Sequence, residues 1–135
     1  MTTSKLLYYL DDDLDDLEFF KEAAEKLGHQ TVLYRTGQDM LQALRVEEDK
    51  PDVIFLDIHM PILNGAEILQ ILKNSADWKN IPVVMISGAY PKKLVRHFHD
   101  AGADYLMKKP PSGEFQNVLE QALAETFSSK IRKTG

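Results

Sequence analysis

Five short apolar runs, at residues 6–10, 32–34, 53–56, 83–86 and 105–107, recur along the chain and are separated by longer stretches of mixed polarity. Runs of that length bounded by polar segments predict strands. Between the first two, Leu14, Leu17, Phe20, Ala24 and Leu27 fall at spacings of three and four, and Gly28 follows where a helix end favours positive φ. Similar helical patterns occupy 40–46, 68–72 after a turn at 61–65, 94–98 and 115–127. The order is therefore (βα)5. Alternation of this kind implies a parallel sheet with right-handed crossovers and helices on both faces. The third and fourth runs, VIFL and VVMI, are continuously apolar, as doubly covered strands should be.

The bulk properties narrow the function classes. A chain of 135 residues, 44% hydrophobic, is the size of a single domain with one substantial core. A formal net charge of −5 argues against nucleic-acid binding, which needs clustered positive charge. The absence of cysteine excludes disulfides and thiolate chemistry. The N-terminal apolar run is soon broken by three acids, too short for a signal segment or a membrane span, so a soluble, cytoplasmic protein is expected. The polar, basic SSKIRKTG stretch is expected to fray, with the globular part ending near residue 128.

In open parallel sheets, ligands collect at the carboxyl ends of the strands, near the point where strand order reverses. Here the first strand ends in Asp11, Asp12 and Asp13, the third in Asp57, the fourth in Ser87 and Gly88, and the fifth in Lys108, Lys109 and Pro110. Clustered carboxylates repel one another unless a cation sits among them, and Mg²⁺ prefers carboxylate and water oxygens. With such an ion in place, a carboxylate on the central strand can attack a phosphoryl group whose oxygens an ammonium helps to neutralise. Asp57 is placed for that role.

The acid pair after the first strand, Asp57 followed by Met60-Pro61 and Gly65, Ser87 after an apolar strand, and Lys109-Pro110 together resemble the CheY-like receiver domains of two-component systems over almost the whole chain. The resemblance implies a flavodoxin-like sheet of order 2-1-3-4-5. It makes Asp57 the phosphoacceptor and makes Mg²⁺ or Mn²⁺ the cofactor, held by Asp12, by Asp57, by Asp11 largely through water, and by the backbone carbonyl of His59. Lys109 would pair with the phosphoryl oxygens, the Ser87 hydroxyl would swing towards them, and the amides of His59 and Gly88 would lie nearby. The same likeness implies a signalling switch with only self-phosphorylation and self-dephosphorylation chemistry. A histidine kinase or histidine phosphotransfer protein would charge it, and its output would pass to a downstream protein or a homodimer formed through the fourth helix, fifth strand and fifth helix.

Some features depart from that pattern. The position three before Lys109 is Leu106 where the family usually has an aromatic, with Tyr105 just before it. Lys108 and Lys109 point to opposite sides of an extended segment, and Pro110 favours Lys109 as the site residue. A cis Lys109-Pro110 bond is implied, with Pro111 as a second candidate position. His59 and Ala89 would flank the path of water to the acyl phosphate.

Several residues also have plainer readings, and rival functions make demands on the sequence. Asp13, Asp15 and Asp16 suit helix capping and the helix dipole. His97 and His99, two apart on a helix, do not form a metal pair. Lys92, Lys93 and Arg96 make a basic cluster open to partners, and Trp78 suits a loop anchor. An Asp-nucleophile phosphatase of the haloacid dehalogenase class needs a second acid where this chain has His59. A flavodoxin needs a hydroxyl- and glycine-rich phosphate loop where it has LDDDLDD. The remaining alternative is a receiver-shaped interaction module that works without phosphorylation.

Overall fold

The computed structural model describes residues 4–60, 64–88, 92–110 and 114–134. Five strands, β1 (Leu6–Leu10), β2 (Gln30–Tyr34), β3 (Val53–Asp57), β4 (Val83–Ser87) and β5 (Tyr105–Lys108), form one parallel sheet of order β2-β1-β3-β4-β5. Five helices alternate with them: α1 (Leu14–Lys26), α2 (Gly37–Val46), α3 (Gly65–Lys73), α4 (Lys92–Asp100) and α5 (Phe115–Thr134). The fold expected from the apolar runs is the fold observed. The helix α5 continues to Thr134, through the segment expected to fray after about 128. Pro61, Ala89 and Pro111 lie outside the described residues, as does the side chain of Lys92.

The period of two along each strand divides the core into two layers. Leu7, Tyr9, Val53, Phe55, Val84, Ile86 and Met107 face α1 and α5, where they meet Leu17, Phe20, Ala24, Phe115 and Leu119. Tyr8, Leu10, Ile54, Leu56, Val83, Met85 and Leu106 face the opposite way, towards Met40, Leu44, Ile68, Leu72 and Phe98 of α2, α3 and α4. Phe20 is the hub of the first layer, with ring centroids 4.4 Å from Tyr9, 5.0 Å from Phe55 and 6.1 Å from Phe115. Trp78 packs at the edge of the second layer, as a loop anchor should. Gly28 takes φ of 88° just past α1, a conformation a side chain would strain.

The same parity positions the chemistry. Asp57 lies in register beside Ile86, and Ser87 beside Lys108, so the β3 and β4 ends meet on one rim. Continuing the alternation from Tyr9, Phe55 and Met107 puts Asp11, Asp57 and Lys109 on the α1 side of the sheet, while Ser87 follows Met85 to the other side. The chain reverses its direction of winding between β1 and β3, so Asp11 and Asp57 flank the switch point.

Candidate functional site

Three local devices shape the rim. Asp13 caps α1, its Oδ1 accepting the N–H groups of Asp15 at 2.9 Å and Asp16 at 3.1 Å, which fixes where the helix starts. Asn64 and Glu67 form a reciprocal capping box at the start of α3. Gly65, next in chain, packs so closely under the end of β3 that an added Cβ would collide with the Asp57 carbonyl oxygen and lie 3.2 Å from Met85 Cε. The helix α3 can start where it does only because this residue has no side chain.

Carboxylate oxygens of Asp11, Asp12 and Asp57 lie within 4.8 Å of one another. Asp11 and Asp57 are buried and Asp12 is exposed, so the cluster opens to solvent on one side. The donor set is hard oxygen throughout, and it fits a Mg²⁺ or Mn²⁺ ion that keeps several waters. Asp11 is the most constrained member. Its Oδ1 accepts the Asp13 N–H at 3.0 Å, and its Oδ2 accepts both the Tyr9 hydroxyl at 2.5 Å and the Lys109 ammonium at 3.1 Å. The His59 N–H donates to Asp57 Oδ1 at 3.2 Å, closing a turn that holds the acceptor carboxylate.

Electrostatics follow from this crowding. Burial, and after it the charge of Asp11, push the Asp57 carboxyl up from 3.8 to about 7, against the opposing pull of Lys109 and the His59 amide. Burial alone works to lower the Lys109 ammonium. It is outweighed by the hydrogen bond to Asp16 and the charges of Asp11 and Asp57, so Lys109 stays charged with its pKa raised. Tyr9 is raised by burial and then by Asp11, so it remains a hydroxyl donor throughout the working pH range.

Asp11, Asp12, Asp57, the His59 N–H and Lys109 come together at the rim, with two additions. Lys109 lies 3.7 Å from Asp57 Oδ2, whereas Lys108 is exposed, which separates the two neighbouring lysines. Ser87 is fully buried at the end of β4, and Gly88 sits exposed beyond it with open space where a Cβ would go. The Lys109-Pro110 bond is trans, since no peptide bond among the described residues is cis. This corrects the expectation of a cis bond. The trans form is intrinsically favoured even before proline. The sequence reading missed Tyr9, although a tyrosine two residues before an acid on a strand shares its face. Asp16, which by sequence suits helix capping and the helix dipole, has the carboxylate oxygen nearest to Lys109, its Oδ2 lying at 2.8 Å. His97 and His99 are both exposed, as are Lys93 and Arg96. No helix among the described residues is long and apolar enough to cross a membrane.

Comparison with known proteins agrees with this geometry. The profile of the response regulator receiver domain matches residues 8–121. The polar-differentiation response regulator DivK of Brucella ovis is 27% identical over 109 residues, which cover 81% of this chain and 87% of DivK. Stress response regulator protein 1 of Lodderomyces elongisporus is 25% identical over 128 residues, covering 93% of this chain, which spans about a third (35%) of that longer relative. Among solved structures, the phosphorylated cyanobacterial phytochrome response regulator RcpA superimposes with a TM-score of 0.76 at 25% identity, covering 90% of this chain and 95% of its own. A parallel sheet of order 2-1-3-4-5 with its acids at the switch point, matched by that profile over most of its length, makes this chain a member of the response regulator receiver domain family.

Proposed function

We propose that the chain is a phosphorylation switch in which Asp57 accepts a phosphoryl group from a phosphohistidine on a sensor kinase or phosphotransfer protein. The observation that carries this reading is the placement of Asp57: buried at the end of the central strand, within 4.8 Å of two further carboxylates and 3.7 Å from the Lys109 ammonium. A carboxylate oxygen of Asp57 attacks phosphorus, the N–P bond breaks, and the imidazole nitrogen keeps the bonding electron pair. The His59 amide orients the attacking carboxylate, and Lys109 offers positive charge to the oxygens of the transferred group. A Mg²⁺ or Mn²⁺ ion held by Asp11, Asp12, Asp57 and the His59 carbonyl would supply further neutralisation of those oxygens.

Ser87, on the opposite side of the sheet end, would carry the signal outward as its hydroxyl turns towards the phosphoryl group. The relay to β5 runs through Leu106, a buried aliphatic, so packing rather than an aromatic flip transmits the change. The modified domain then favours one of two conformations, which partners bind unequally. The switch is not an enzyme acting on other substrates, and it works in the cytoplasm through protein partners. The test is transfer of labelled phosphate from a phosphohistidine-bearing phosphotransfer protein. Label is expected on the wild type and not on Asp57→Asn; equal labelling of both would overturn the assignment.

A further inference from the structure

The anion closest to the Lys109 ammonium is not the acceptor Asp57. It is Asp16, in the first turn of α1, whose Oδ2 lies at 2.8 Å, against 3.1 Å to Asp11 Oδ2 and 3.7 Å to Asp57 Oδ2. The Asp16 carboxylate belongs neither to the cluster that fits a metal nor to the cap of α1, in which only the Asp16 N–H takes part. Both partners are largely shielded, with side-chain exposures of 23% for Lys109 and 19% for Asp16. A charge-assisted contact in that setting is screened less than a surface pair.

From this geometry we infer that Asp16 is a positioning residue, which draws the Lys109 ammonium towards the α1 edge of the site and shares it with Asp11 and Asp57, so that neither of those metal-binding carboxylates is its closest partner. The inference rests on the reading of the site as a metal-dependent phosphoacceptor. Without that third carboxylate the ammonium would close further on Asp11 and Asp57, which it already approaches at 3.1 Å and 3.7 Å, and would compete more strongly with the cation. Asp16 draws the ammonium to one side, leaving it paired but within a short movement of the position that phosphoryl oxygens on Asp57 would take. Tyr9 supports the arrangement from below. Its hydroxyl occupies part of Asp11 Oδ2, the same oxygen Lys109 touches, which limits how far Asp11 can bind the ammonium in place of Asp16.

The test is a Mn²⁺ titration followed by electron paramagnetic resonance on four proteins: wild type, Asp16→Asn, Lys109→Met and the double variant. With Asp16 neutralised, Lys109 should pair more tightly with Asp11 and Asp57, and Mn²⁺ affinity should fall about fivefold, a coupling usual for neighbours that share a partner. In the Lys109→Met background the same Asp16→Asn change should have less than about a twofold effect, because there is no ammonium to redistribute. Asp16→Glu should restore most of the affinity. Equal losses in both backgrounds would show that Asp16 acts on the cation directly, and no loss in either would show that it does not act on the site; each result overturns the inference. Failure of the wild type itself to bind Mn²⁺ would instead overturn the underlying metal-site reading.

Discussion

Replacing Asp57 by asparagine should stabilise the metal-free protein, and the gain should depend on pH. The wild-type carboxyl titrates near 7 in the folded chain, against 3.8 when unfolded, because burial and then Asp11 disfavour its charge. Between those values the folded state holds a proton that the unfolded state has released, so the carboxyl's contribution to stability falls as pH rises through that window. The cost is absent below about pH 4, grows to about pH 7 and is constant above it. At 1.36 kcal/mol per pH unit, the full displacement sets a ceiling of about 4 kcal/mol. The opposing pull of Lys109 is already contained in that displacement, and solvent entering at the exposed Asp12 side reduces the ceiling to roughly 1–2 kcal/mol. Urea unfolding of both proteins between pH 4 and 8, followed by the fluorescence of Trp78, measures the difference directly, and other titrating groups cancel. Asp57→Asn should be no more stable than wild type near pH 4 and clearly more stable at pH 8. Excess Mg²⁺ should narrow the gap, since it binds the wild-type carboxylate in the folded state only. A difference that stays flat with pH, or a variant less stable at pH 8, would refute the electrostatic reasoning.

Further expected outcomes concern the supports of the site. Tyr9→Phe keeps the ring packed on Phe20 but removes the donor to Asp11, so it should cost about 1.5–3 kcal/mol in chemical denaturation, the range for a hydrogen bond to a charged group. Gly65→Ala drives a methyl into the Asp57 carbonyl and should cost about 2 kcal/mol or more while weakening Mn²⁺ binding, read by calorimetry; an unchanged melting temperature would contradict the close approach. His29 is held below its ordinary pKa, first by burial and then by Lys5, and its Nδ1 accepts the Lys5 N–H at 3.1 Å. A depressed histidine contributes stability above about pH 6.5 that is lost as pH falls, so His29→Asn, whose side-chain oxygen can accept the same N–H without titrating, should flatten the decline between pH 7.5 and 5. Asp12→Ala should abolish detectable Mg²⁺ binding in the same calorimetric assay.

Much of this was legible in the chain because period-two and period-three-to-four patterns are local. VIFL and VVMI could only be strands covered on both faces, and their ends named Asp57 and Ser87. Once β1, β3 and β5 were placed in parallel, Asp11, Asp57 and Lys109 had to share a rim. What the sequence did not reveal depends on distances between elements. Whether Asp16 serves the dipole of α1 or a lysine 93 positions later in the chain is decided by how α1 lies against the end of β5. Tyr9 reads as one more strand aromatic until its hydroxyl is seen to reach Asp11. The isomer of the Lys109-Pro110 bond also turns on context, because the intrinsic preference between cis and trans is only about 0.5–1 kcal/mol.

The central claim is that Asp57 is a metal-dependent phosphoacceptor. Intact-mass spectrometry of wild type and Asp57→Asn, after incubation with acetyl phosphate with and without Mg²⁺, tests it most directly. A single phosphoryl adduct, about 80 Da, is expected on the wild type alone and only with Mg²⁺. An adduct of equal yield on Asp57→Asn, or none on the wild type with either acetyl phosphate or a phosphohistidine donor, would contradict the claim and favour an interaction module that works without phosphorylation.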